Sequence, residues 1–129
     1  MSRPNRRTPR ILVVDDDPAA RRVVAALFSR SGHRVDAAAN GAEALSQVRG
    51  AHFDLIIADG RAAADGVPLV AALATLPGDP SRRLILSTSD ARPGSEERLA
   101  ALGPRVLRKP FDLRELQKAA DEVLGHAGV

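Results

Sequence analysis

Ile11-Leu12-Val13-Val14-Asp15-Asp16-Asp17-Pro18 is the stretch that decides the fold. Four apolar residues in succession suit a strand buried on both faces, the environment of a parallel sheet. The acids stop that strand at its C-terminal end. Asp17 then reads as the N-cap of a helix, with Pro18 at the first helical position, where a missing N–H costs nothing. Strand, polar turn and helix start in so short a span open a βα unit. The pattern recurs along the chain. Leu55-Ile56-Ile57-Ala58 runs into Asp59, Leu84-Ile85-Leu86 into Ser87-Thr88, and Val106-Leu107 leads to Lys109-Pro110. A fifth strand is expected over 35–38.

The intervening segments have helical periodicity. The first helix presents Ala20, Val23, Val24, Leu27 and Phe28 as its buried stripe and ends at Ser31-Gly32. The last opens on Asp112 with Glu115 three residues on, a capping box, and its stripe is Leu113, Leu116, Ala120, Val123 and Leu124. Shorter helices are expected over 41–48, 68–76 and 95–102. Five such units predict an α/β fold: a flavodoxin-like, doubly wound, five-stranded parallel sheet of order 2-1-3-4-5. The reading is a single domain over 10–125, with a flexible basic arm at 1–9 and a short tail at 126–129.

Composition narrows the function classes. A chain of 129 residues, 44% apolar, supports one domain with a modest core. The absence of cysteine excludes a disulfide framework and a thiolate metal site, and suits a reducing cytoplasm. The longest largely apolar stretch, 69–76, falls short of the roughly 20 residues a membrane span needs. The first ten residues lack the apolar region of a secretory signal. Net charge is +3, but Arg3, Arg6, Arg7 and Arg10 supply it; without these four of the nineteen basic residues, fifteen remain against sixteen acids. The basic excess is therefore an arm and not a face, so nucleic acid is not expected as a partner of the domain. His33 and His52 sit beside turns and His126 near the end, none with acids at ligand spacing, so no histidine is read as a metal ligand. Asp54 and Asp65 are read as strand-start or turn residues.

Parallel neighbours of this kind bring Asp15, Asp16, Asp59, Ser87 and Lys109 to one crevice at the C-terminal edge of the sheet, where open α/β sheets bind ligands. Lys109 is one of only two lysines among nineteen basic residues, in a chain that otherwise uses arginine. Carboxylates crowded at one edge repel each other unless neutralised. Mg²⁺ does this with one or two carboxylates plus carbonyls and waters. Asp59 ends its strand alone and is the acid best exposed for attack on phosphorus. Ser87 and the compact ammonium of Lys109 are placed to stabilise a transferring phosphoryl group.

From about Arg10 to Leu124 the chain resembles a response-regulator receiver domain. The match rests on Val13-Val14-Asp15-Asp16-Asp17-Pro18, Asp54-Leu55-Ile56-Ile57-Ala58-Asp59, Asp65-Gly66, Leu86-Ser87 and Lys109-Pro110-Phe111, with 43 residues from Asp16 to Asp59, 28 on to Ser87 and 22 on to Lys109. The resemblance implies that a histidine kinase or phosphotransfer protein donates a phosphoryl group to Asp59. It implies Mg²⁺ held by Asp16, Asp59 and the backbone carbonyl of Arg61, with Asp15 acting through water. Ser87 and Lys109 would then each bind a phosphoryl oxygen, and the Lys109–Pro110 peptide would be cis. The chain would be a phosphoacceptor, not a turnover enzyme. It would switch the face around helix 4, strand 5 and helix 5 toward a downstream protein or a second copy of itself.

Three departures accompany the resemblance. The loop Gly60-Arg61-Ala62-Ala63-Ala64-Asp65-Gly66 lacks the usual proline and is one residue short. Val106 stands where relatives carry an aromatic, in a chain without tyrosine. Thr88 replaces a smaller residue and adds bulk beside Asp59. The side chain of Arg61 is expected to be solvated, with reach toward a phosphoryl group as the alternative. A pseudo-receiver that binds partners without phosphorylation is the second functional reading. A haloacid-dehalogenase-type phosphatase is the third, although Ala19 stands where that pattern needs Thr or Val. A flavodoxin reading fails because no Ser/Thr/Gly-rich phosphate loop follows the first strand. The Met1 start and the 125–129 end are read as those of a stand-alone receiver.

Overall fold

Ile11, Leu12, Val13 and Val14 are all buried, and the strand they form pairs in parallel on both sides. The structure, a computed structural model, describes residues 8–125. Most of the expected basic arm and all of the expected tail lie outside the described residues. The chain order is β1 (Arg10–Val14), α1 (Pro18–Arg30), β2 (Arg34–Ala38), α2 (Gly41–Gly50), β3 (Leu55–Asp59), α3 (Leu69–Ala74), β4 (Leu84–Thr88), α4 (Ser95–Ala100), β5 (Arg105–Arg108) and α5 (Leu113–Leu124). All pairings in the five-stranded sheet are parallel, and its order is β2-β1-β3-β4-β5, the order expected from the sequence.

Alternation along the strands divides the core into two layers. Leu12, Val14, Ile56 and Leu86 pack with Phe53, Ala44 of α2 and Leu73 of α3. Ile11, Val13, Leu55 and Ile85 face the other way, onto Phe28 of α1 and Leu116, Ala119 and Ala120 of α5. Both faces of β1, β3 and β4 are thereby covered, which explains why their sequences are unbroken apolar runs rather than alternating ones.

The helix ends follow their capping chemistry. Asp17 accepts the Ala19 N–H at 3.0 Å, as an N-cap should. Asp112 accepts the Glu115 N–H at 2.9 Å while Glu115 takes the Asp112 N–H at 3.3 Å, completing the capping box of α5. Asp112→Ala is expected to cost about 1 kcal/mol, seen as a lower urea midpoint with unchanged slope. Two stripe residues behave otherwise than expected. Val23 is 53% exposed and Leu113 43%, while Ala119 is fully buried. Leu113 lies in a first turn held by the capping box rather than by packing. Val23 falls at the edge of the stripe that Val24, Leu27 and Phe28 fill. Helix α3 is shorter than the expected 68–76, because Pro68 starts it without a side-chain cap and Thr75 turns its hydroxyl back to the Ala72 carbonyl at 2.7 Å.

An element not expected from the sequence follows β3. Ala63–Ala64 pairs antiparallel with Val67–Pro68, joined by Asp65 (φ 51°) and Gly66 (φ 80°). Two consecutive positive φ values are what a tight two-residue hairpin turn requires. Asp65 is thus a turn residue, as read. The hairpin lies against the start of α2, where Gly41 leaves no room for a side chain: a Cβ there would lie 2.3 Å from the Ala63 carbonyl oxygen.

Candidate functional site

Strand register assembles the candidate site. Val14 pairs with Ala58, Asp59 with Ser87, and Thr88 with Arg108. Asp15-Asp16, Asp59, Ser87 and Lys109 therefore emerge side by side at the C-terminal edge of β1, β3, β4 and β5. The Lys109 N–H extends the ladder to the Thr88 carbonyl at 2.7 Å, and the Lys109–Pro110 peptide is cis.

Asp59 is the centre of this cluster, with a side chain only 12% exposed. The Lys109 ammonium donates to its Oδ2. Oδ1 accepts the Arg61 backbone N–H at 2.8 Å and Arg61 Nε at 3.1 Å, with Arg61 Nη2 3.5 Å from Oδ2. Burial pushes the Asp59 carboxyl up, but hydrogen bonds from Lys109 and then from Arg61 outweigh it and hold the pKa at about 2. Asp59 is therefore a carboxylate at every physiological pH, the ionisation state that nucleophilic attack needs. The Arg61 side chain, expected in solvent, is 80% exposed yet paired with Asp59.

Two clefts meet at Asp59. One is lined by Asp15, Asp16, Asn40, Gly41, Asp59 and Arg61. The other runs past Gly60, Arg61, Ser87, Thr88 and Arg98 toward α4. Ser87 is buried and its hydroxyl has only a long 3.5 Å contact with the Ala58 carbonyl, so it is weakly committed. Thr88 is also buried, and its hydroxyl accepts the Asp90 N–H at 3.0 Å, capping the following turn.

The first cleft fits a hard divalent cation by donor chemistry, since Asp15, Asp16 and Asp59 line it together with Arg61. No three acidic or histidine side chains among the described residues form a ready-made cage. Asp15 Oδ1 instead takes the Asp17 N–H at 2.9 Å, and Asp59 holds Lys109 and Arg61. Mg²⁺ tolerates this, because it keeps several waters and takes only one or two carboxylates directly.

The sequence matches the response regulator receiver domain over residues 11–121. The chain belongs to that family. The receiver is 36% identical over 118 residues to the transcriptional regulatory protein ZraR of Klebsiella oxytoca, an alignment covering 90% of this chain and 26% of the relative. It thus spans about a quarter of the length of that protein. Its fold matches the chemotaxis response regulator CheY4 of Vibrio cholerae with a TM-score of 0.78 and 28% identity, over 92% of this chain and 100% of the other. It also matches the receiver domain of the sensor histidine kinase PA1611 from Pseudomonas aeruginosa, a structure with a magnesium ion coordinated in the active site cleft (TM-score 0.77, 27% identity, 92% and 99% covered).

The receiver is accordingly a domain of the two-component response-regulator type, which supports a place in phosphorelay signalling. No helix among the described residues is long and apolar enough to cross a membrane.

Sequence reasoning missed two parts of the site: the Arg61–Asp59 pairing and the Gly41 contact. The pairing has a signal in retrospect, a cationic residue two positions after a strand-end acid. The contact has none that a single chain displays, because it depends on where the hairpin lies.

Proposed function

We propose that Asp59 accepts a phosphoryl group from a phosphohistidine on a partner kinase or phosphotransfer protein. The observation that carries this reading is the partly buried Asp59–Lys109 ion pair beside the weakly bonded hydroxyl of Ser87. In the transfer an Asp59 carboxylate oxygen forms the new bond to phosphorus as the phosphorus–nitrogen bond breaks, and the imidazole leaves with the electron pair. Mg²⁺ held by Asp16, Asp59 and the Arg61 carbonyl, with Asp15 through water, would neutralise phosphoryl charge when bound. Lys109 follows its partner's charge from carboxylate to phosphoryl oxygen. Ser87 turns its hydroxyl to another oxygen.

Lys109 closes the end of β5, so its movement is transmitted to that strand. Two ion pairs tie β5 to its neighbours: Arg108 to Glu96 of α4 at 3.5 Å and Arg105 to Glu122 of α5 at 2.9 Å. A shift of β5 strains both. The face they staple is the proposed output surface, for a downstream protein or a second copy of the receiver. Val106, half-buried on β5, offers no rotating aromatic, so the signal leaves through strand position and these ion pairs.

The intact cluster weighs against a pseudo-receiver. The test is transfer from a labelled phosphohistidine protein. Label should move to the receiver in the presence of Mg²⁺ and stay on the donor with EDTA. Retention on the donor in both conditions would defeat the proposal.

A further inference from the structure

Arg61 lines both clefts that meet at Asp59. Its guanidinium and backbone N–H, together with Lys109, direct four donor contacts at the two Asp59 oxygens. A carboxylate offers about four lone-pair positions. With these contacts made, Asp59 has little left for a metal ion or for phosphorus. The contacts differ in how easily they can be released. The Lys109 side chain is 36% exposed and anchored at a strand end, whereas the Arg61 side chain is 80% exposed and, among the described residues, hydrogen-bonds to Asp59. The Arg61 charge also acts on Asp16 and Asp15, the other acids of the first cleft. The backbone fixes this placement: the Gly60 N–H bonds the Ser87 carbonyl at 2.6 Å and the Ala62 N–H bonds the Asp59 carbonyl at 2.9 Å.

We propose that the Arg61 guanidinium is a latch on Asp59 that a divalent cation must displace before the receiver can be phosphorylated. Arg61 is thus a positioning residue with two opposed parts, a side chain that competes with the cation and a backbone carbonyl that helps hold it. The latch rests on the reading of Asp15, Asp16 and Asp59 as the metal site. Arginine suits the role because its planar fork spans both carboxylate oxygens, which a lysine point charge does not. Once displaced, the guanidinium has the second cleft beside it.

The test is calorimetric Mg²⁺ titration of the full chain as wild type, Arg61→Met, Arg61→Lys and Asp16→Asn, with the Arg61 Nε–H resonance followed by NMR. Arg61→Met keeps the peptide carbonyl and should bind Mg²⁺ about three- to tenfold more tightly than wild type, with Arg61→Lys between them. In the wild type the Nε–H resonance should shift in step with Mg²⁺ saturation. Equal or weaker binding by Arg61→Met, or an Nε–H signal indifferent to Mg²⁺, overturns the latch while leaving the metal site standing if Asp16→Asn abolishes binding. Binding that survives Asp16→Asn overturns the metal site itself, and the latch with it.

Discussion

Lys109→Ala is expected to slow phosphoryl transfer to Asp59 about a hundredfold and to raise the Asp59 pKa above its value of about 2. The two effects have one origin. Burial alone pushes the Asp59 carboxyl above the ordinary 3.8, and the Lys109 hydrogen bond is the largest influence opposing it. Without the ammonium that opposition is left to Arg61. The transferring group also loses a fixed cation in a partly buried site, where such a charge counts for more than in bulk solvent. The sign for stability follows from linkage. Because folding lowers the Asp59 pKa, the pair contributes stability fully above pH 3.8, and that contribution is lost as pH falls toward 2. Lys109→Ala should therefore flatten the acid limb of the stability curve below pH 3.8. Carboxyl ¹³C titration and quenched-flow transfer measure the two effects. An unchanged titration midpoint would mean that Lys109 does not hold Asp59 as described.

Gly41→Ala is expected to be the most damaging single-methyl change at the site, costing about 3 kcal/mol, the upper end for overpacking. The added Cβ would lie 2.3, 2.4 and 2.9 Å from the oxygen, carbon and nitrogen of Ala63. All three are backbone atoms, so no side-chain rotation relieves the clash. Either α2 slides along the sheet or the hairpin lifts. The hairpin is also the continuation of the Arg61 loop, so lifting it moves the carbonyl proposed to face the metal. Urea denaturation should show the stability loss, and Mg²⁺ affinity should fall with it. A Gly41→Ala protein as stable as wild type would contradict the close approach of α2 and the hairpin.

The contrast between what the sequence disclosed and what it concealed has a physical cause. The strands were legible because parallel strands covered on both faces must be continuously apolar, and Ile11–Val14, Leu55–Ala58 and Leu84–Leu86 are. Once they are neighbours, the residues that end them share one edge, so Asp15, Asp16, Asp59, Ser87 and Lys109 were legible too. The hairpin at residues 63–68 was not. Its four paired residues include three with weak strand preference, and tight turn chemistry at Asp65-Gly66 makes it rather than hydrophobic alternation. The Arg61 pairing depends on a side-chain choice between solvent and Asp59, which periodicity does not encode. Val23 was misplaced because a helical repeat does not fix how wide a stripe is covered, and Leu113 because it does not fix how far along the helix the cover reaches.

Phosphorylation of Asp59 is the event on which the proposed function depends. Its most direct measurement is intact mass spectrometry of the receiver after incubation with Mg²⁺ and a small acyl phosphate, followed by peptide mapping. The expected result is a single added phosphoryl group, labile to hydroxylamine, mapped to Asp59 and absent from Asp59→Asn. A phosphoryl group that persists in folded Asp59→Asn, or no modification of the wild type at any Mg²⁺ concentration, would contradict it.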